Sequence, residues 1–192
     1  SNIQTPNVAR EAALTAGIPD RTPCHTVSQA CISANRAIAD GCLEIMTGRA
    51  DIIIAGRTTD TAIIAALPIA RGVDAGVAWH AAKIGECGAL CATNPQSGVI
   101  VIDFDEAGFT VTPLADGAMA TPHTVSAHML YENADPFILT EPGGHLDVTG
   151  AAYSAEDDRS VRVTGSRWVP ADRYTVKLEG ARRAGFQTVL MA

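Results

Sequence analysis

Three short stretches of this chain put reactive side chains at spacings that support chemistry. The first is "HTVSQACISANRAIADGC", residues 25–42, where Cys31 stands between a strand-like alternation and the start of a helical pattern. At such a junction a thiol faces unpaired backbone N–H groups and the positive end of the helix dipole, and both favour the thiolate nucleophile. The competing reading is a small buried thiol, the ordinary fate of a free cysteine. The second stretch is "WHAAKIGEC", residues 79–87, in which His80, Lys83 and Cys87 lie at offsets of three and seven and so share one helix face, with Glu86 three beyond Lys83. His80 and Glu86 are candidate acid–base groups there and Lys83 a candidate substrate contact; the plainer reading is a surface Lys83–Glu86 pair. With Cys91 added, one histidine and two cysteines string three donors along a helix, whereas a structural zinc takes four converging ligands, so no metal is expected.

The third stretch is "GRTTD", residues 56–60, which follows an apolar strand and opens a helix. Arg57, Thr58 and Thr59 would then offer a guanidinium, hydroxyls and backbone N–H groups at the carboxyl end of a strand, where open α/β sheets hold ligands. An anion, such as a carboxylate or a phosphate, suits that edge, with Asp60 fixing Arg57 or handling a proton. Alternatively, Thr59 and Asp60 cap a helix and Arg57 is a solvated charge. "LYENADP", residues 130–136, gathers Glu132 and Asn133 where a helix stops before a proline. His123 and His128 read as too far apart to face each other, His145 as a loop histidine, and Cys24 and Cys42 as packing.

These groups must be positioned by elements that the punctuation predicts. "TPNVAREAALTAGIPD" is a helix with Thr5 as N-cap and Pro6 at its first position, ending at Gly17. "PCHTVSQ" is a short strand, residues 31–48 a helix with a broad apolar stripe, and "ADIIIAG" a buried strand with β-branched residues on both faces. Together they predict a βαβ unit in a partly parallel sheet. Beyond Gly56 the pattern is a helix interrupted at Pro68, a second helix over 75–92, a hairpin over 98–114 turned at Asp105 to Gly108, and a Thr-Pro helix over 121–136. Short strands and turns follow, with Lys177 and Glu179 alternating on one of them. The expected fold class is α/β, an N-terminal βαβ unit continuing into an α+β region with a hairpin and antiparallel strands. The expected segments are 1–56 and 57–192, packed as one compact unit.

With 192 residues, 47% hydrophobic and 18% charged, the chain is rich enough to bury a core. A net charge of −7 and a pI near 5.1 argue against a nucleic-acid partner, which needs a basic face. The apolar runs are strand-sized, so no membrane span is predicted. "SNIQTPNVAR" lacks the features of a secretory leader, which makes the cytoplasm the expected compartment. Five scattered cysteines, an odd number, read as reduced thiols.

Two resemblances follow from these motifs. Residues 6 to 56, through "HTVSQACISANRAIADGCLEIMTGRADIIIAG", resemble thiolases of the fatty-acid β-oxidation type, with Cys31 on the acyl-accepting cysteine. That resemblance implies a CoA thioester substrate, no covalently bound cofactor and a homo-oligomer, because thiolases use this region near their dimer interface. The family's general base, in a Gly-His-Pro motif, and its second cysteine, in a glycine-rich motif, have no counterpart in "PGGHLD" or "ECGAL", and Gly56 is followed by Arg57 instead of a second glycine. Acylation of a lone cysteine is still chemically open, but the Claisen step needs a base. From residue 50 onward, "ADIIIAGRTTDTA", "WHAAKIGECGA", "GFTVTPL", "TPHTVSAHMLYENADPF" and "RVTGSRW" with "YTVKLEGA" resemble the acyclic terpene utilisation, or AtuA-like, family. That second resemblance implies action on a branched acyl-CoA or carboxylate in acyclic terpenoid catabolism, with the reaction type unspecified, and draws attention to Glu132 and Asn133. The chain thus reads as a chimera, incomplete relative to both families. The leading expectation is the AtuA-like activity; the alternatives are a thiolase-type acyltransferase using Cys31 and a composed fold without activity.

Overall fold

A computed structural model describes residues 7–29, 33–54, 60–95, 98–173 and 175. The fold mixes helices with antiparallel sheets, and the chain divides into two compact units, residues 1–58 and 59–192.

In the first unit, α1 (Val8–Thr15) is capped by Asn7, whose side chain accepts from the Arg10 amide, two residues later than the Thr-Pro pattern predicts. Asn7 is better placed because it also ties the following segment down: its Nδ2 donates to the Cys24 carbonyl at 2.8 Å, and Thr26 Oγ1 donates to its Oδ1 at 3.0 Å. Gly17, at φ 77°, supplies the left-handed turn that ends the helix. The second helix, α2 (Ser33–Met46), ends in the same way at Gly48.

The two expected parallel strands carry no ladder among the described residues. Pro23 to Ser28 has no regular structure, Gln29 makes an isolated bridge, and Ile52 to Ile54 is irregular. A parallel strand draws its stability from neighbours on both edges and covering helices on both faces. Here Ile52 and Ile54 are 81% and 82% exposed, and Ile38, Leu43, Ile45 and Met46 of the α2 stripe are exposed too. The close approach in this unit is at Gly41, where an added Cβ would stand 3.0 Å from Ile53 Cγ2. Cys42, expected in packing, is exposed, and Cys24 is half-buried.

The second unit has a closed core. Helix α3 (Asp60–Ala70) runs through Pro68 instead of stopping there, and the Arg71 amide closes on the Leu67 carbonyl at 3.1 Å. At Pro68 the helix forgoes the amide bond to the Ile64 carbonyl but continues for two more residues. Helix α4 (Ala75–Gly85), capped by Asp74, is buried on nearly every side. Its alanines and glycines let neighbours come close: α3 lies along it, and a Cβ at Gly76 would sit 2.6 Å from the backbone of Arg167 and Trp168. The helix stops at Gly85, earlier than expected, and Cys87 falls in a turn before a 3-10 segment, Gly88–Cys91. Gly88 at φ 60° explains the break, since continuing the helix would need a right-handed residue there.

The hairpin forms as read: β1 (Ile100–Phe104) pairs antiparallel with β2 (Gly108–Pro113), and Asp105 Oδ1 accepts from the Ala107 and Gly108 amides in the turn. Helix α5 (Pro122–His128) starts with a capping box between Thr121 and Thr124. It then gives way to turns that reach Glu132 at a positive φ of 56°. Strands β3 (Ile138–Glu141) and β4 (Gly144–Asp147) form a second hairpin, which places His145 on a strand and not in a loop. With β5 (Ala152–Ala155), β6 (Val161–Thr164) and β7 (Arg167–Pro170), the two sheets run β1-β2-β6-β5 and β3-β4-β7. Phe109, Val111, Val161 and Val163 of the first and Leu139 and Leu146 of the second share a core with Val77, Ala81 and Ile84 of α4. Lys177 and Glu179 lie outside the described residues.

Candidate functional site

The polar residues singled out in the second unit separate into two places. His80 goes into the core. It is fully buried, with Ser166 Oγ 2.8 Å from Nδ1, the Tyr153 hydroxyl 3.0 Å from Nε2 and the Phe109 ring edge-on to it. A neutral imidazole has one donor and one acceptor nitrogen, and two hydroxyls satisfy either tautomer. Burial pushes the His80 pKa down to about 3 and that of Tyr153 up to about 12, so both are neutral. His80 thereby bridges α4, β5 and the Ser166 turn, away from Lys83.

The other residues converge where α3 begins and α4 ends. Lys83 and Glu86 do pair, but inside the protein and not on its surface, with side chains only 7% and 8% exposed. The Lys83 ammonium donates to Glu86 Oε1, and the hydroxyl of Thr61, one residue into α3, donates to Glu86 Oε2. Both carboxylate oxygens are thus engaged, as a buried ion must be if its desolvation is to be offset. Cys87 follows, half-buried. Burial first, then the carboxylates of Glu86, Glu132 and Asp60, raise its thiol pKa, with Lys83 acting the other way. That makes Cys87 a weak nucleophile at neutral pH. Asp60 is exposed at the first position of α3, and Glu132 is exposed on the turn after α5. Asn133 is occupied locally, its Nδ2 donating to the Met129 carbonyl at 2.8 Å.

His128 belongs beside this cluster, although its spacing from His123 hides the fact. It is buried and stacked on Tyr131 with ring centres 5.6 Å apart. Burial, then the Lys83 cation, lower its pKa against the opposing pull of Glu86. The usable signal in the sequence is that His128 lies three residues beyond Val125 and so falls on the buried face of α5. Thr61 carries the same signal, four residues before buried Ala65.

The cluster can hold and orient a polar group, since Lys83, Glu86 and Thr61 form a fixed array with exposed carboxylates at its rim. Among the described residues no group of three or more histidines, cysteines or acids is arranged to hold a metal ion, and no helix is long and apolar enough to cross a membrane. Cys31, Arg57, Thr58 and Thr59 lie outside the described residues.

Comparison with known proteins places similarity at the other end of the chain. A family model for the thiolase N-terminal domain matches residues 1–59. The chain is 57% identical over 54 residues to the mitochondrial trifunctional enzyme subunit beta of Homo sapiens, covering 28% of this chain and 11% of that protein. It is 57% identical over 53 residues to a probable 3-ketoacyl-CoA thiolase of Caenorhabditis elegans, covering 28% of this chain and 12% of that one. To the 3-ketoacyl-CoA thiolase of Vibrio vulnificus it is 40% identical over 79 residues, 40% of this chain and 20% of that protein. The chain therefore spans between 11% and 20% of the length of these curated relatives. No solved structure matches. The opening part of the chain is thiolase-like, and the 79-residue alignment is longer than the 59 residues that the family model matches.

Proposed function

We propose that residues 1–59 are the acyl-accepting segment of a thiolase-type acyl-CoA acyltransferase, with Cys31 as the nucleophile. The observation that carries this reading is the 57% identity over 54 residues to a trifunctional enzyme subunit beta, together with the match to the thiolase N-terminal domain. In the half-reaction the Cys31 thiolate attacks the acyl carbonyl of a CoA thioester; a new C–S bond forms to Cys31, the C–S bond to CoA breaks, and CoA leaves as its thiolate. No cofactor is consumed. The test is incubation of the full chain with acetyl-CoA, followed by peptide mass mapping and by iodoacetamide labelling between pH 5 and 9. An acetyl adduct on Cys31, absent in Cys31→Ser, and a labelling midpoint below the roughly 8.5 of a free thiol support the reading. A Cys31 that reacts like Cys42 and takes no acyl group overturns it.

The AtuA-like reading is the second, and one observation favours it for residues 59–192. Asp60, Lys83, Glu86 and Glu132, separated by up to 72 positions, surround Cys87 in the folded unit. In this reading Lys83 and Glu132 meet the polar end of a branched acyl-CoA or carboxylate in acyclic terpenoid catabolism, and the buried Lys83–Glu86–Thr61 array fixes its orientation. Geranyl-CoA raising the melting temperature of the full chain in proportion to its concentration supports it, since a ligand that binds only the native state stabilises that state. An unchanged melting temperature at millimolar ligand removes it.

A further inference from the structure

Among the described residues, β1 is an outer strand of the four-stranded sheet, with β2 on one side and no strand on the other. The ladder shows which of its backbone groups are spare, because hydrogen-bonded and non-bonded positions alternate along an antiparallel pair. The Leu114 amide donates to the Val99 carbonyl at 3.0 Å and the Asp105 amide to the Gly108 carbonyl at 3.1 Å. With Val101 opposite Thr112 and Asp103 opposite Thr110, the odd-numbered residues therefore bond β2. The amides and carbonyls of Ile100, Ile102 and Phe104 point the other way, along the open edge. Proteins guard such an edge with lysine, proline or a bulge. "IVIDF" has no lysine and no proline, and its register with β2 runs through every position without a bulge. The sheet's other edge, β5, leads instead into Glu156, Asp157 and Asp158. On the helix side of the sheet, Ile100 and Ile102 converge with Ile64 of α3 on Gly85, so an apolar helix flanks the open edge.

We propose that β1 pairs antiparallel with β1 of a second copy of this chain, joining two four-stranded sheets into one about a two-fold axis at Ile102. A two-fold contact must be self-complementary, and this register is. Ile102 faces Ile102 of the second copy and Ile100 faces Phe104, so the spare amides and carbonyls on each edge meet their counterparts. At the alternate positions Asp103 faces Val101 of the second copy. The one charge of the strand is thus kept from its like, whereas like charges directly opposite would destabilise the pair. The edge is short against the roughly 800 Å² per partner of a standard interface, so the dimer dissociates on dilution. The contact uses no residue of either proposed site and lies outside the thiolase-like segment, to which the sequence resemblance assigns an oligomer.

The test is sedimentation velocity on the full chain between about 5 and 500 µM, with amide hydrogen exchange read at both ends of that range. Expected is a monomer that becomes a dimer, in which exchange at Ile100, Ile102 and Phe104 slows about tenfold while Val161 and Val163, inside the sheet, do not change. Val101 is exposed and alternates with the core-facing Ile100 and Ile102, so replacing it spares the core. Val101→Glu sets a carboxylate against Asp103 of the second copy, twice by symmetry, and should weaken the dimer about tenfold; Val101→Lys sets an ammonium there and should not. The near-ultraviolet dichroism of the stacked Trp79 and Trp168 reports whether each variant is folded, and the exchange of the parent decides the matter without either. A monomer at every concentration, a dimer whose three edge amides exchange as before, a monomer already protected at those amides, or equal weakening by glutamate and lysine overturns the proposal. None of these readouts depends on acylation of Cys31 or on geranyl-CoA, so failure here leaves both functional readings where they stand.

Discussion

His80 should make the second unit acid-sensitive by an amount that can be worked out in advance. Folding lowers its pKa from 6.5 to about 3 because burial disfavours the imidazolium. The unfolded chain therefore binds one more proton than the folded one at any pH between those values, and the free energy of unfolding rises with pH across that window. Stability is fully present above 6.5 and is lost as pH falls, by about 1.4 kcal/mol per pH unit and about 5 kcal/mol in total by pH 3. At pH 4.5 the loss is about 3 kcal/mol, a large share of the stability of an ordinary domain. Trp79 and Trp168, the only two tryptophans, stack at 5.6 Å within this unit, so fluorescence during urea unfolding reports on it alone. His80→Gln keeps one donor and one acceptor toward Ser166 and Tyr153 but does not titrate. Its stability at pH 7 is expected to fall, yet the slope of stability against pH between 6.5 and 4.5 should be shallower than that of the parent by about 1.4 kcal/mol per unit. Parallel slopes in the two proteins would refute the assignment of His80 as a neutral core residue.

Three further predictions concern the same unit. Lys83→Met leaves the Glu86 carboxylate buried beside Thr61 without its cation and should cost about 3–5 kcal/mol, whereas Lys83→Met with Glu86→Leu should recover most of the loss; equal stability of the single and double variants would show that the pair is not desolvated. Gly76→Ala drives a Cβ to 2.6 Å from the β7 backbone, so it should cost about 1–3 kcal/mol and weaken the near-ultraviolet dichroism of the stacked tryptophans; an unchanged spectrum would mean the helix slides without disturbing β7. Burial holds the Cys91 thiol at a pKa of about 11, up from 9.0, so at pH 8 it should alkylate about a hundredfold more slowly than a thiol of that ordinary value; comparable rates would place it at the surface.

How much of this was legible in the sequence depended on whether the deciding contact was local. The β1–β2 turn could be read because Asp105 and Gly108 settle it among themselves, and the α5 start because Thr121, Pro122 and Thr124 do the same. The end of α4 was not legible, since Gly85 and Gly88 read as packing glycines until the positive φ of Gly88 is known. For the candidate site, spacing along the helix put Lys83 with Glu86 and was right to do so. It also put His80 on their face, but Tyr153 and Ser166, 73 and 86 residues away, take His80 into the core. Thr61 and His128 were missed for the same reason, because the partner that gives each its role lies on another element.

Similarity and packing follow different parts of this chain, and that division governs how its function can be tested. Identity to thiolases is concentrated in residues 1–59, where isoleucines of the strand-like segment and of α2 stand exposed. The closed core and the buried ion pair lie in residues 59–192. A variant in the second unit can be read through stability, because its side chains have fixed partners whose loss has a definite cost. A variant at Cys31 cannot, because removing a nucleophile need not disturb any packing. Thiol reactivity with and without acyl-CoA is the observable that isolates the first unit, and it discriminates because a thiolate-favouring environment and a merely buried thiol shift reactivity in opposite directions. Fast, acyl-CoA-protected alkylation at pH 6 would show that the acyl-accepting segment works in this chain, and slow alkylation that rises only above pH 9 would show that it does not.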